Sequence, residues 1–213
     1  MEATAKHIKV QRTARYFLYG DLQEPHSEVV FVIHGYGMKA ADFLKNFAVL
    51  QQKGRLIVAP EGLSRFYRKG FTGDVVASWM TKEDRLHEIA DYISYLDILF
   101  ETITAGKNCK TIVLGFSQGA TTASRWIMSG KSKPDELIVW CGEFAKDSET
   151  YPNSLPRFWH VSATKDEFIS LDRYDAQSEY FREKGIDTKE YRFEGGHIID
   201  QPTLIDIWDK LSD

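Results

Sequence analysis

The chain has 213 residues, 43% hydrophobic and 27% charged, proportions that predict one soluble domain with a full core over residues 1–213. A formal charge of −4 and a pI near 5.9 argue against nucleic acid or an anionic membrane as the main partner. The opening residues lack the apolar core of a secretion signal and no run reaches membrane-spanning length, so no stable membrane association is expected. Cys109 and Cys141 have no paired spacing, which makes a reducing, cytoplasmic setting the default. There are no repeats, low-complexity tracts or linkers that would divide the chain.

Residues 6–19 alternate loosely before Gly20-Asp21, a pattern that predicts two short antiparallel edge strands. Glu28 to His34 is a continuous β-branched run, the mark of a strand buried on both faces, and it ends in the turn His34-Gly35-Tyr36-Gly37. Arg55 to Pro60 is a second central strand. From Glu61 to Met80 a long connection is expected, carrying Arg65, Phe66, Tyr67, Arg68, Lys69, Phe71 and Trp79. Connections of this length inside a compact domain tend to be functional. Thr81 is read as the N-cap of the next helix, with Asp84 completing a capping-box variant. Leu86, Ile89, Ala90, Ile93 and Leu96 then recur at helical spacing.

Thr111 to Ala120 reads Thr-Ile-Val-Leu-Gly-Phe-Ser-Gln-Gly-Ala, a β-favouring run entering Gly-x-Ser-x-Gly with a small-residue helix behind it. Strand, sharp turn and helix in that order form the context in which the motif means a nucleophile elbow at Ser117. Gly115 and Gly119 are expected because a Cβ at either position would strike the adjoining strand or helix. The helix runs to about Ser129, with Gly130 as its C-cap. Further strands are predicted over 136–141, 157–162 and 188–193, and helices over 171–184, closed by Gly185, and 198–211. Strands alternating with helices predict an α/β architecture, a mostly parallel sheet with helices on both faces. Between Glu143 and Pro156 the chain is too short for a separate cap domain.

In such sheets chemistry gathers at the carboxyl ends of the strands. A serine hydroxyl needs a base within hydrogen-bond reach, and the base needs a carboxylate to fix its tautomer. His197, on Glu194-Gly-Gly-His197 after the last strand, is the expected base, with the glycines letting its ring move freely. His34 and His160 are better read as satisfied structural histidines, and His7, His26 and His87 as chemically idle. Two carboxylates follow strands, Glu143 and Asp166. Asp166 is favoured because the later strand lies nearer the His197 turn, and Glu167 should then point away. Oxyanion donors are expected from the backbone N–H of Gln118 and of Tyr36. No His, Cys and carboxylate spacing suggests a metal or other cofactor. The basic residues of the 61–80 connection are read as a solvated loop.

His34-Gly-Tyr-Gly, Gly-Phe-Ser117-Gln-Gly, Trp79, Asp166-x-x-Ile169 and Gly-Gly-His197, spread over residues 28–199, resemble the phospholipase/carboxylesterase family of α/β-hydrolases, which includes acyl-protein thioesterases. The resemblance implies an α/β-hydrolase fold without a large cap domain. It also implies Ser117 as nucleophile, Asp166 as acid, His197 as base, Tyr36 and Gln118 as oxyanion donors, and Trp79 as a pocket-lining residue. Two departures fall at the substrate pocket: Met80-Thr81 stands where the family has an aspartate, and His160-Val161-Ser162-Ala163 where it has His-Gly. The expected activity is hydrolysis of small to medium acyl esters, with thioesters included, in an open groove walled by Phe66, Tyr67, Phe71 and Trp79, with Phe168 also at the substrate. The expected partner is a small-molecule ester, and the chain is expected to be a monomer or homodimer. The competing readings are a lactone, sugar-acetate or feruloyl esterase, and a hydrolase-fold ligand receptor without catalysis.

Overall fold

In a computed structural model of the chain, which describes residues 3–147 and 155–211, seven strands form one sheet. They are β1 (Tyr16–Tyr19), β2 (Glu28–Ile33), β3 (Arg55–Pro60), β6 (Lys110–Phe116), β7 (Glu136–Trp140), β8 (Arg157–Ala163) and β9 (Thr188–Phe193), in the spatial order β1-β3-β2-β6-β7-β8-β9. Only the edge strand β1 runs antiparallel to its neighbour; every other pairing is parallel. The two remaining strands, β4 (Ser64–Lys69) and β5 (Thr72–Ser78), form a separate antiparallel hairpin.

The β-branched runs explain the layering. Along β2, Val30 and Val32 face one core, while Val29, Phe31 and Ile33 face the other. Such alternation with both faces apolar requires a cover on each side. One face is closed by α1 (Ala40–Leu44), a 3₁₀ turn (Lys45–Leu50) and α5 (Gln201–Leu211), through Phe43, Phe47, Leu204 and Trp208. The other is closed by α2 (Arg85–Thr104), α3 (Gln118–Ser129) and α4 (Leu171–Glu183), through Tyr92, Leu96, Trp126 and Phe181.

Several expectations are corrected. The 61–80 connection is the β4–β5 hairpin and not a loop. Its register shifts between Tyr67 and Lys69, which hides the period-2 pattern that would have announced two strands. The opening segment forms one strand, because only Tyr16–Tyr19 finds a partner edge on β3. Helix α2 starts at Arg85, after Asp84 in a left-handed conformation (φ 49°), and Thr81 is not its cap. Thr81 instead bonds through its own N–H and hydroxyl to Glu88. Gly130 does cap α3 as expected, in an extended conformation (φ −88°, ψ −173°) and not a left-handed one. Glycine is needed there because a Cβ would lie 2.6 Å from the Trp126 carbonyl oxygen. Helix α5 begins at Gln201, three residues later than predicted. Residues 148–154, within the segment expected to exclude a cap domain, lie outside the described residues.

After β2 the chain passes to β3 on one side, and β6 later joins β2 on the other. The reversal of strand order opens a crevice at the carboxyl ends of β2 and β6, where α/β sheets characteristically place their ligands. The His34 turn and Ser117 both sit there.

Candidate active site

Ser117 joins β6 to α3 with φ 56° and ψ −120°, a conformation that L-residues rarely hold. Strain of this kind costs roughly 1–3 kcal/mol and persists only where the surroundings enforce it. Here the enforcement is visible. The Ser117 N–H donates to the Trp140 carbonyl at 3.0 Å, tying the turn to β7. A Cβ on Gly115 would lie 2.2 Å from the Gly119 carbonyl oxygen, and one on Gly119 would lie 2.1 Å from that of Ile33. The two glycines therefore let β6, α3 and the end of β2 close on one another. Gly142, two residues past the end of β7, does the same: a Cβ there would be 2.6 Å from the Ser117 carbonyl oxygen.

Asp166 follows β8 and His197 follows β9. The His197 Nδ1–H donates to Asp166 Oδ2 at 2.9 Å, which leaves Nε2 as the acceptor nitrogen. The Asp166 side chain is fully buried and that of His197 is 9% exposed. The loops bearing them are stapled together: the Lys165 N–H donates to the Gly195 carbonyl at 2.8 Å, and Lys165 Nζ pairs with Glu194 at 2.7 Å. Glu167 does not point away as expected; its Oε2 accepts the His197 backbone N–H at 3.2 Å. The His197 ring is clamped between Phe116, immediately before Ser117, and Phe168, each with its centroid 4.8 Å away. It is therefore held in place and does not move freely.

Asp166 is held by more than the histidine. Its Oδ1 accepts the N–H groups of Phe168 (2.8 Å) and Ile169 (3.0 Å), and its Oδ2 also accepts the Tyr174 hydroxyl at 2.8 Å. Burial pushes the carboxyl's pKa up. The donors, His197 foremost and then Phe168, Tyr174 and Ile169, outweigh burial and hold it below the usual carboxylate value. Burial pushes the Tyr174 phenol far up, and the nearby Cys141 and Asp166 add to this, so it stays a neutral donor. Cys141 Sγ lies within 4.8 Å of ligand atoms on both Asp166 and His197; burial first, and Asp166 next, push that thiol up, so it stays protonated. Sequence reading missed Tyr174 and Cys141. Tyr174 sits at a core-spaced position of α4, and nothing in the sequence shows that its hydroxyl end meets an acid eight residues earlier. Glu143, the rejected acid, is engaged by Arg173 at 2.5 Å and is not in this network.

The turn after β2 lies against the elbow: a Cβ on Gly35 would be 3.1 Å from that of Ser117. His34 is fully buried. Its Nε2 accepts the Gly62 N–H at 3.0 Å, so its Nδ1 carries the proton and donates to the Gly35 carbonyl at 2.8 Å. Burial lowers its pKa and keeps the ring neutral, as a satisfied structural histidine. Trp79 is only 2% exposed, so it is not a groove wall; its indole N–H donates to the His34 carbonyl at 2.8 Å and props the turn from beneath. The turn is also pinned to the hairpin, through the Gly37 N–H on the Ala77 carbonyl (2.9 Å) and Arg68 on the Gly37 carbonyl (2.8 Å). Tyr36 itself is 61% exposed, with its ring 5.5 Å from Phe66. Gln118 is the first residue of α3, so its N–H has no intrahelical carbonyl. Its side chain is occupied elsewhere, accepting the Trp79 N–H (3.1 Å) and donating to the Met80 carbonyl (2.8 Å). A groove of about 410 Å³ runs between Arg15 of the opening segment and Arg65, Phe66, Tyr67 and Val75 of the hairpin, and Ser117 does not line it.

His160 is 3% exposed, and its Nε2 has no hydrogen-bond partner among the described residues, so the expectation of a satisfied histidine fails there. Among the described residues no helix is long and apolar enough to cross a membrane.

The fold recurs among solved structures. Esterase PE8 superposes with a TM-score of 0.74 at 20% identity, covering 93% of this chain and 98% of its own. Zea mays acyl-protein thioesterase 2 gives 0.73 at 16% identity, covering 94% and 98%. A phospholipase/carboxylesterase from Dyadobacter fermentans DSM 18053 gives 0.69 at 16%, covering 94% and 97%. These likenesses establish an α/β-hydrolase fold. No curated protein gives a significant sequence match. A family model described as serine hydrolase (FSH1) matches residues 29–205, which spans the crevice from β2 to α5. The chain, with its strained serine and its histidine–aspartate pair at one sheet edge, belongs to the serine hydrolase (FSH1) family.

Proposed function

We propose that this chain is a carboxylic-ester hydrolase acting through an acyl-enzyme on Ser117, with small to medium acyl esters, thioesters among them, as substrates. The observation that carries the reading is the 2.9 Å bond from His197 Nδ1 to Asp166 Oδ2, beside a serine held on a strained elbow. His197 takes the Ser117 proton on Nε2 as the oxygen attacks the acyl carbonyl, and Asp166 steadies the imidazolium that forms. The N–H groups of Gln118 and Tyr36 receive the oxyanion, each such donor being worth roughly 3 kcal/mol. His197 then returns the proton to the leaving alcohol or thiol. Water repeats the sequence on the acyl-enzyme and frees the acid.

Phe168, 68% exposed and edge-on to His197, and Tyr36, exposed on the turn against Ser117, are the aromatic residues assigned here to the acyl group. Trp79 acts beneath the turn and not on the substrate. Cys109 and Cys141 are both free thiols, which suits a reducing, cytoplasmic setting for an enzyme acting on a small molecule.

Hydrolysis of p-nitrophenyl acetate and butyrate tests the reading. Ser117→Ala is expected to lower kcat by about 10⁴-fold or more. Asp166→Asn should lower it by roughly 10³–10⁴-fold, while Glu143→Gln keeps near-normal turnover because Glu143 is spent on Arg173. Turnover surviving in Ser117→Ala would refute the mechanism. Loss in Glu143→Gln with Asp166→Asn spared would move the acid to β7.

A further inference from the structure

Away from the crevice, the N-terminal segment and the start of α2 bring together His7, Asp84 and His87. Residues 3–15 have no helix or strand and are mostly exposed. His7 nevertheless sets its Nε2 at 3.0 Å from both carboxylate oxygens of Asp84, and its ring lies 4.0 Å from that of His87. One ligand atom from each of the three residues lies within 4.8 Å of the others. Sequence spacing could not reveal the cluster, because His7 is 77 residues from Asp84.

The conduct of Asp84 is the second sign. Aspartate at a helix N-cap normally accepts an N–H from the first turn. Asp84 occupies the N-cap of α2 in a left-handed conformation and makes no side-chain cap. Its carboxylate is turned outward, onto His7. Two imidazole nitrogens and one carboxylate oxygen, open to water on the remaining side, form the donor set that suits zinc and its first-row neighbours and poorly suits Mg²⁺ or Ca²⁺. In a tetrahedral site with bonds near 2.0–2.1 Å, ligand atoms stand about 3.4 Å apart. Both histidines are exposed, so rotation of the side chains suffices to reach that spacing.

We propose that His7, Asp84 and His87 bind a divalent transition metal of the zinc class, which clips the N-terminal segment to the first turn of α2. The ion completes its coordination with water and takes no part in the chemistry at Ser117, so the proposal stands or falls independently of the esterase reading.

Titration of ZnCl₂ into the full chain, purified without a histidine tag, tests it, with Co²⁺ absorption reporting the coordination geometry. One ion per chain is expected, undisplaced by excess Mg²⁺. Loss of even an outer-shell partner commonly weakens a metal site 10–100-fold, so His7→Asn and His87→Asn should each weaken binding by about tenfold or more. Both replaced side chains are exposed and the variants should fold, which circular dichroism checks. Zn²⁺ should also slow proteolytic cutting within residues 3–15 of the wild type, but not of His7→Asn. Cys141→Ala is expected to bind like the wild type. Binding lost only in Cys141→Ala would assign the ion to the Cys141–Asp166–His197 cluster and overturn the proposal. Wild-type affinity no tighter than that of the His7→Asn/His87→Asn double variant would overturn it equally.

Discussion

Asp166 spends both oxygens on four donors, and the tyrosine among them makes a prediction. Under the proposed mechanism Tyr174 acts through Asp166, as a positioning residue whose buried hydroxyl donates to that carboxylate. Hydrogen bonds to charged groups are worth about 1.5–3 kcal/mol, and the lower figure is about tenfold in rate. Tyr174→Phe is therefore expected to lower kcat about tenfold with KM retained. The variant also loses one of the donors that hold the Asp166 pKa down, so that pKa rises. The variant-to-wild-type ratio of kcat/KM should fall as pH drops from neutrality toward the carboxylate range. A ratio constant across pH, accompanied only by a lower Tm, would reduce Tyr174 to packing. His160 gives the opposite lesson. Its neighbourhood departs from the family pattern, and the structure shows a buried ring, near Tyr174 and Phe181, whose Nε2 lacks a partner among the described residues.

Among the elements, the elbow is legible in the sequence and the hairpin is not. Gly-x-Ser-x-Gly announces its geometry because close approach of β6 and α3 excludes any side chain, and a glycine is visible in one dimension. Gly115→Ala would drive a Cβ to 2.2 Å from the Gly119 carbonyl oxygen, against backbone that cannot swing aside. Overpacking typically costs about 1–3 kcal/mol and occasionally more. Chemical denaturation should place this variant at or beyond the upper end of that range, with esterase activity lost in the fraction that still folds. A cost below about 1 kcal/mol would mean that the strand and helix can separate. The β4–β5 hairpin left no such mark, since its bulge breaks the alternation and its polar strand is exposed over most of its length. What the hairpin does, pinning Gly37 and Met38 through Ala77 and Arg68, depends on contacts made across 31 residues or more.

For the molecule as a whole, stability should depend on pH in two stages. Burial, with Arg192 adding a smaller effect, lowers the His160 pKa from 6.5 to about 4, and burial lowers that of His34. The unfolded chain then binds more protons than the folded one below pH 6.5, so stability falls as pH drops from 6.5 toward about 4. The His160 shift corresponds to about 3 kcal/mol across that window. Carboxylates held below their ordinary pKa, Asp166, Asp97 and Asp147, contribute stability above about pH 4 that is lost on further acidification. His160→Phe replaces the ring with an apolar one among aromatic neighbours. Urea titrations at pH 7 and pH 5 should show a smaller stability difference for this variant than for the wild type. An equal difference would place the acid sensitivity elsewhere.

Local sequence pattern is enough to dictate the alternation of strands and helices, the double burial of β2 and the elbow at Ser117. Each is dictated by neighbours along the chain: apolar runs, glycines where backbones touch, and a small-residue helix. It also pointed to Asp166 and His197 by their places after β8 and β9. That Tyr174 shares Asp166 with His197, that Trp79 lies beneath the His34 turn and not in the groove, and that His7 reaches Asp84 follows from the packed fold alone. Those relations join residues on separate elements, and their geometry is fixed by how helices and loops pack on the sheet, which no local pattern records.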